Sequence, residues 1–231
     1  HNNSVSLLCV DINYRNNGIG TELLKLSEKY IYNIKNDKII LGRGSYYLLQ
    51  GVPNDDDSTV SFFEHRGYLA QWTSVNMNLS LNNFQIQNIV IPPCPENVIF
   101  RFLKKNEIPQ ILNAVEDAES EWSEIFRNCI DPIFIAESNG IILGFEILSP
   151  HGGRFILSPE QVGCVGCVGV IHKARNNGIG RWMVVNGIEW LKNNGCSSIE
   201  LRYVELVDWY KKIGFKVIFH QWMGEKSLQK K

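Results

Sequence analysis

The stretch Arg15-Asn16-Asn17-Gly18-Ile19-Gly20 returns, letter for letter, as Arg175-Asn176-Asn177-Gly178-Ile179-Gly180. Its surroundings return with it. An apolar run precedes each copy, VSLLCVDI before the first and VGCVGVI before the second. An amphipathic helix follows each. In TELLKLSEKYIYNIKN the residues Leu23, Leu24, Tyr30, Ile31 and Ile34 fall largely on one side, and in RWMVVNGIEWLKNNG so do Val184, Val185, Ile188 and Leu191. Gly195 stands just past the second helix, where a left-handed residue closes a helix.

Both copies then continue in one order. KIILG and SSIELRYV read as strands, FFEHRGY (Phe62–Tyr68) and WYKKIGF (Trp209–Phe215) as short aromatic helices ending at glycine, and LAQWTSVNMNL and FKVIFHQWM as last strands. Strand, loop, helix, strand, helix, strand therefore occurs twice. Between the copies, NIVIPPCPENV carries three prolines and suits a linker or an edge crossing. VIFRFLKK reads as a strand, NEIPQILNAVEDAESEWSEIFRN as one or two helices with Asn106 as cap, and DPIFIAESNGIILGFEIL as a hairpin turning at Ser138-Asn139-Gly140. This leading portion has no counterpart in the first copy. The expected organisation is a partial N-terminal domain over 1–82 (later half only), a linker over 83–96 and a complete C-terminal domain over 97–231. Whether the first copy is a remnant or the chain a fragment stays open.

Composition narrows the function. The chain has 231 residues, 44% hydrophobic and 20% charged, with net charge −1. That balance gives no electrostatic argument for nucleic acid or an anionic membrane. No run approaches the length of a membrane span, and HNNSVSLLCV lacks the basic start and long apolar run of a signal peptide. Six cysteines make no disulfide framework at this size. Cys164 and Cys167 form a lone CVGC without two further ligands at zinc spacing, so the run reads as a buried strand and no metal is expected. Reduced thiols favour the cytosol. Three successive aspartates, Asp55–Asp57, lack the pattern of a calcium loop and read as a solvated turn.

A glycine loop between a strand and a helix start exposes backbone N–H groups, and the helix dipole there favours an anion. Several successive amides suit a pyrophosphate. No GxxxxGK[ST] occurs, and neither copy completes GxGxxG.

Strand, [QR]xxGx[GA], helix, strand and a short helix ending YxxxGF together resemble the signature of the GCN5-related N-acetyltransferases. The second copy supplies Val168-Gly169-Val170, Arg175, Gly178 and Gly180, and Tyr210-Lys211-Lys212-Ile213-Gly214-Phe215, in that order. The resemblance covers 97–224 as a whole domain and 4–80 as the later half of another, a tandem with an incomplete N-terminal copy. It implies an α/β (α+β) fold, a mixed central sheet with splayed parallel strands flanked by helices, and acetyl-CoA (coenzyme A) as cofactor. By resemblance, Val168, Gly169 and Val170 pair with the pantetheine arm, the N–H near Val170 faces the thioester carbonyl, and Arg175, Asn176, Asn177, Gly178, Ile179, Gly180 and Arg181 hold the pyrophosphate. Arg15, Asn16, Asn17, Gly18 and Gly20 form the matching set in the first copy.

Tyr210 stands where family members carry the acid that protonates the leaving thiolate. Phe63 occupies that position in the first copy and has no proton to give. Some members place a glutamate eleven residues before the loop; Cys164 stands there instead. Glu146, Glu200, Glu205 and Asp208 remain open as bases, and His172 is equally readable as a surface or capping residue. The expected function is transfer of an acetyl group from acetyl-CoA to a primary amine of a small molecule by direct attack. The rivals are a non-catalytic acyl-CoA-binding regulatory module and a homodimer in which a partner chain completes the first copy.

Overall fold

Each glycine loop marks a change of period, and the chain changes element there. A computed structural model describes residues 3–42, 51–54, 57–152 and 160–228. Its elements are β1 (Ser4–Val5), α1 (Ile19–Asn33), β2 (Lys38–Leu41), β3 (Val52–Pro53), α2 (Asp57–Glu64), β4 (Leu69–Ser80), β5 (Ile99–Phe102), α3 (Ile108–Glu119), α4 (Ser123–Arg127), β6 (Ile133–Ser138), β7 (Ile141–Ser149), β8 (Val162–Val170), α5 (Ile179–Asn193), β9 (Ser198–Val204), α6 (Val207–Lys211) and β10 (Lys216–Ser227). The fold is mixed α/β with mixed sheets flanked by helices. The aspartate turn falls outside the described residues, save for the backbone of Asp57. Among the described residues no helix is long and apolar enough to cross a membrane.

Two compact units emerge, and they do not follow the contiguous ranges read from the repeat. One contains residues 1–76, 203–205 and 217–231, the other 77–202 and 206–216. The last strands are exchanged, β10 almost whole and β4 only at its end. From Val217 on, β10 lies in the first unit, antiparallel to β2 with Glu225 opposite Ile40 and to β3 with Trp222 opposite Val52. Met77–Ser80 of β4 lies in the second unit, where Leu81 N–H donates to Ser197 O at 2.9 Å beside β9. Period-two patterning reports which face of a strand is buried and is silent about which neighbour it joins. That explains why the repeat alone does not reveal the exchange.

In the second unit β5, β6, β7 and β8 form an antiparallel run, and β9 joins β8 in parallel. The β6–β7 turn is as expected, with Asn139 and Gly140 both left-handed (φ 51° and 76°), the geometry of a two-residue hairpin. Alternate residues of β7 serve opposite faces. Phe145 meets Phe126 of α4 edge-on at 4.9 Å, whereas Gly144 lies under Met183 and Ile179 of α5. Val184, Val185, Ile188 and Leu191 are fully buried as the helical period requires, and each contributes about 1.5–3 kcal/mol of transfer free energy. Gly195, left-handed at φ 91°, follows α5, as expected. Asn106 is not a cap. It sits inside a 3-10 turn, Lys105–Glu107, where Glu107 accepts from the Lys104 N–H at 2.8 Å.

The first unit packs Val5, Leu24, Ile31, Ile39, Leu41, Val52, Val60, Phe63, Tyr68 and Trp222. Its opening strand is shorter than expected: β1 is Ser4–Val5 only, and Leu7 is exposed. On α1 the expected stripe divides, with Leu24 and Ile31 buried and Leu23, Tyr30 and Ile34 exposed.

Candidate active site and the two glycine loops

The two loops share one backbone. Asn16 and Asn176 have φ 63° and 65°, and Gly18 and Gly178 have φ 81° and 76°. These left-handed positions suit asparagine and glycine. In each copy the arginine folds back, Arg15 Nε donating to Val10 O at 3.1 Å and Arg175 Nε to Val170 O at 3.0 Å. Both arginines brace the strand-to-helix turn. Each loop opens a helix of 15 residues whose first-turn N–H groups lack intrahelical partners.

Their surroundings differ. Among the described residues a Cβ on Gly18 would meet nothing within 4 Å, whereas one on Gly178 would fall 2.6 Å from Pro93 O and 3.0 Å from Pro92 O. The linker reaches the second loop through its main chain. Arg181 Nη1 donates to Val90 O and Trp182 Nε1 to Pro92 O, both at 2.9 Å. The prolines announce a linker, and nothing in the sequence tells where it lies. Arg181, expected on the pyrophosphate, also stands over the Trp209 ring at 5.6 Å. The first copy has Thr21 in its place. There Arg66 donates to Thr21 Oγ1 at 2.7 Å and stands over Phe62 at 3.7 Å, so a guanidinium reaches the corresponding spot from another element. The only sequence signal for it is an arginine just before Gly67.

Between loop and short helix the sheet opens. β8 and β9 pair over Val162–Ser198, Gly163–Ile199 and Cys164–Glu200, and among the described residues no further pairing joins them although β8 runs on to Val170. In the first copy β1 and β2 likewise pair, among the described residues, at Ser4–Ile40 and Val5–Leu41 alone. On its other edge β8 carries a bulge. Phe145 faces Gly169 and Ile147 faces Gly166, so Cys167 and Val168 together oppose Glu146, with Cys167 left-handed at φ 48°. Val168, Gly169 and Val170 thus follow a kink on a strand with one free edge.

Tyr210 lies on α6, its ring edge-on to Trp209 at 4.7 Å and to Phe215 at 5.7 Å. Burial first, then the charges of Glu146, Cys167 and Cys164, push its phenol well above the ordinary tyrosine value. It therefore stays protonated at neutral pH. Burial likewise raises Cys164 to about 11 and Cys167 to about 12. Phe63 occupies the matching place on α2, edge-on to Phe62 at 5.1 Å and to Tyr68 at 5.6 Å.

The base candidates separate by burial. Glu205 and Asp208 are exposed, and Asp208 pairs with Lys211 at 3.1 Å. His172 is exposed, and its backbone N–H donates to Asp117 Oδ2 at 2.7 Å. Glu200 is buried 3.8 Å from Arg202. Glu146 is 0% exposed, with neither carboxylate oxygen hydrogen-bonded among the described residues. Gly187 of α5 leaves its niche, since a Cβ there would collide with Oε1.

Burial raises the Glu146 carboxyl from 4.5 to about 8. Between those values the folded chain holds a proton that the unfolded chain has released, so this group's stabilisation falls as pH rises through the window. Relative to Glu146→Gln, the wild type is therefore expected to lose melting temperature progressively from pH 5 to 8. A constant difference between the two across that range sinks the assignment.

Known proteins agree with this architecture. The family model described as Acetyltransferase (GNAT) family matches residues 100–215. Over 93 residues the chain is 37% identical to a mycothiol acetyltransferase of Amycolatopsis mediterranei (strain U-32), a stretch covering 37% of this chain and 30% of that protein. The chain thus spans about a third of this curated relative's length. Among solved structures, the GCN5-related glucosamine N-acetyltransferase region of a fungal multi-domain GH3 beta-N-acetylglucosaminidase superposes with a TM-score of 0.80 at 21% identity, over 96% of this chain and 29% of that one. A tandem GNAT protein from the clavulanic acid biosynthesis pathway superposes with a TM-score of 0.75 at 13% identity, over 99% and 75%. At such identities the structural likeness concerns the fold.

Proposed function

The chain belongs to the acetyltransferase (GNAT) family, and we propose that it transfers an acetyl group from acetyl-CoA to a primary amine of a small molecule by direct attack. The family uses acetyl-CoA, which supplies the activated acetyl group as a thioester. The observation that carries the reading is the parting of β8 from β9 after Cys164 and Glu200, beside a bulged strand and a half-buried phenol. The edge of Val168–Val170 that faces β9 has no strand partner among the described residues and fits an arm that carries amides, because main-chain groups need partners. The loop Arg175–Gly180, with the first turn through Arg181, fits a diphosphate by its helix-start amides.

The roles then follow. The Val170 N–H region stabilises negative charge developing on the carbonyl oxygen. Tyr210 gives its proton to the leaving thiolate. The amine reacts from its neutral fraction, and no base is required. The repeat that carries the first loop serves as an incomplete, non-catalytic copy and the repeat that carries the second as the complete one. Two contrasts support that division. Phe63 lacks the hydroxyl of Tyr210, and α1 exposes Ile19 and Leu23 where α5 buries Ile179 and Met183 against β7. Arg15, Asn16, Asn17, Gly18 and Gly20 keep the loop geometry and hold a second coenzyme A.

The test is thiol release from acetyl-CoA with a panel of amino sugars, polyamines and small metabolite amines, alongside native mass spectrometry for bound coenzyme A. Amine-dependent release is expected. Bound coenzyme A without release for any amine would favour a regulatory binding module instead.

A further inference from the structure

We propose that residues 89–93 form an autoinhibitory strap that competes with the coenzyme A diphosphate for the second glycine loop. The inference rests on the reading of that loop given above and concerns its regulation. Three main-chain carbonyls converge on one helix start. Val90 O accepts from Arg181 Nη1, Pro92 O accepts from Trp182 Nε1, and Pro93 O lies 2.6 Å from where a Gly178 Cβ would stand. Carbonyl oxygens carry partial negative charge. Their convergence on the positive end of α5 imitates, weakly, the oxygens of a diphosphate. Only glycine at 178 lets the chain come this close.

The composition of the strap suits the task. Pro92 and Pro93 have no N–H, so these two residues present acceptors and no donors to the helix start, and their fixed φ limits the entropy lost on docking. Val90 is 82% exposed, and its contact with the helix start is made by its carbonyl. The first loop is a control inside the same molecule. It has the same six residues and the same backbone, and among the described residues nothing lies within 4 Å of where a Gly18 Cβ would stand. A loop covered part of the time binds with an affinity reduced by the fraction of time it is open. The second loop should therefore bind more weakly than its own amides would allow, until the strap moves aside.

Hydrogen exchange of residues 176–182, followed against coenzyme A concentration, reads this loop separately from residues 16–22. Trp182→Phe keeps an aromatic side chain and removes the donor to Pro92, and the loss of one hydrogen bond is expected to lower the protection midpoint about fivefold. A double Pro92→Gly, Pro93→Gly variant loosens the strap without touching α5 and is expected to lower it tenfold or more. Val90→Ala should leave the midpoint where it is. A midpoint unchanged or raised in both loosened variants overturns the strap and leaves the coenzyme A reading intact. Absence of protection at 176–182 in every one of these proteins overturns the coenzyme A reading itself.

Discussion

Replacing Trp222 by alanine is expected to unfold the first compact unit, although the residue lies near the far end of the chain. Trp222 is 4% exposed and packs with Val5, Leu24, Ile31, Ile39, Leu41, Val52, Val60, Phe63 and Tyr68, all early in the sequence. Removing a buried tryptophan costs about 3–5 kcal/mol, a large share of the 5–15 kcal/mol that holds a typical domain. Native-state hydrogen exchange locates the damage. Protection should collapse at Leu24, Ile31 and Leu41 and persist at Met183, Val184 and Leu191. A contiguous tandem, with each copy keeping its own last strand, predicts the reverse. Lys226, on the same strand, donates to Glu28 Oε1 at 2.9 Å next to Tyr68, whose hydroxyl also donates to Glu28 at 3.1 Å. Lys226→Met removes one partly exposed ion pair and should cost under about 1 kcal/mol. The contrast with Trp222 separates a packing effect from a general weakness of β10.

What was legible in the sequence is what local physics dictates. The left-handed loop, the buried stripe of α5, the Asn139-Gly140 turn and the strand through Cys164 and Cys167 follow from residue type and spacing. The parted strands were legible only by resemblance, because pairing depends on residues distant in sequence. Strand exchange was not legible: β4 and β10 carry the same alternation whichever sheet they join. Burial of Glu146 was hidden for a related reason. A charged letter in an apolar strand looks like a surface position until Gly187, from another element, is seen to make room for it. Arg66 standing in for Arg181 was hidden because the two arginines come from non-equivalent positions.

Tyr210→Phe is the substitution expected to cost the most activity. A positioned general acid contributes about 10²–10⁴-fold, so kcat should fall by that factor while KM for acetyl-CoA and loop protection at 176–182 stay unchanged. The fold itself supplies the reason to trust the variant's structure. Phe63 already fills the equivalent place in the first unit with similar edge-on neighbours, and the Tyr210 ring rests on Trp209 and Phe215 rather than on its hydroxyl. The wild-type pH profile carries a second signature. Burial and the nearby Glu146, Cys167 and Cys164 hold the phenol's proton beyond the ordinary tyrosine range, so kcat should show no alkaline fall as pH passes the usual value near 10. A fall centred there would mean that the acid is a more exposed group. An unchanged kcat in Tyr210→Phe would mean that the thiolate leaves unassisted, and the catalytic distinction drawn between Tyr210 and Phe63 would disappear with it.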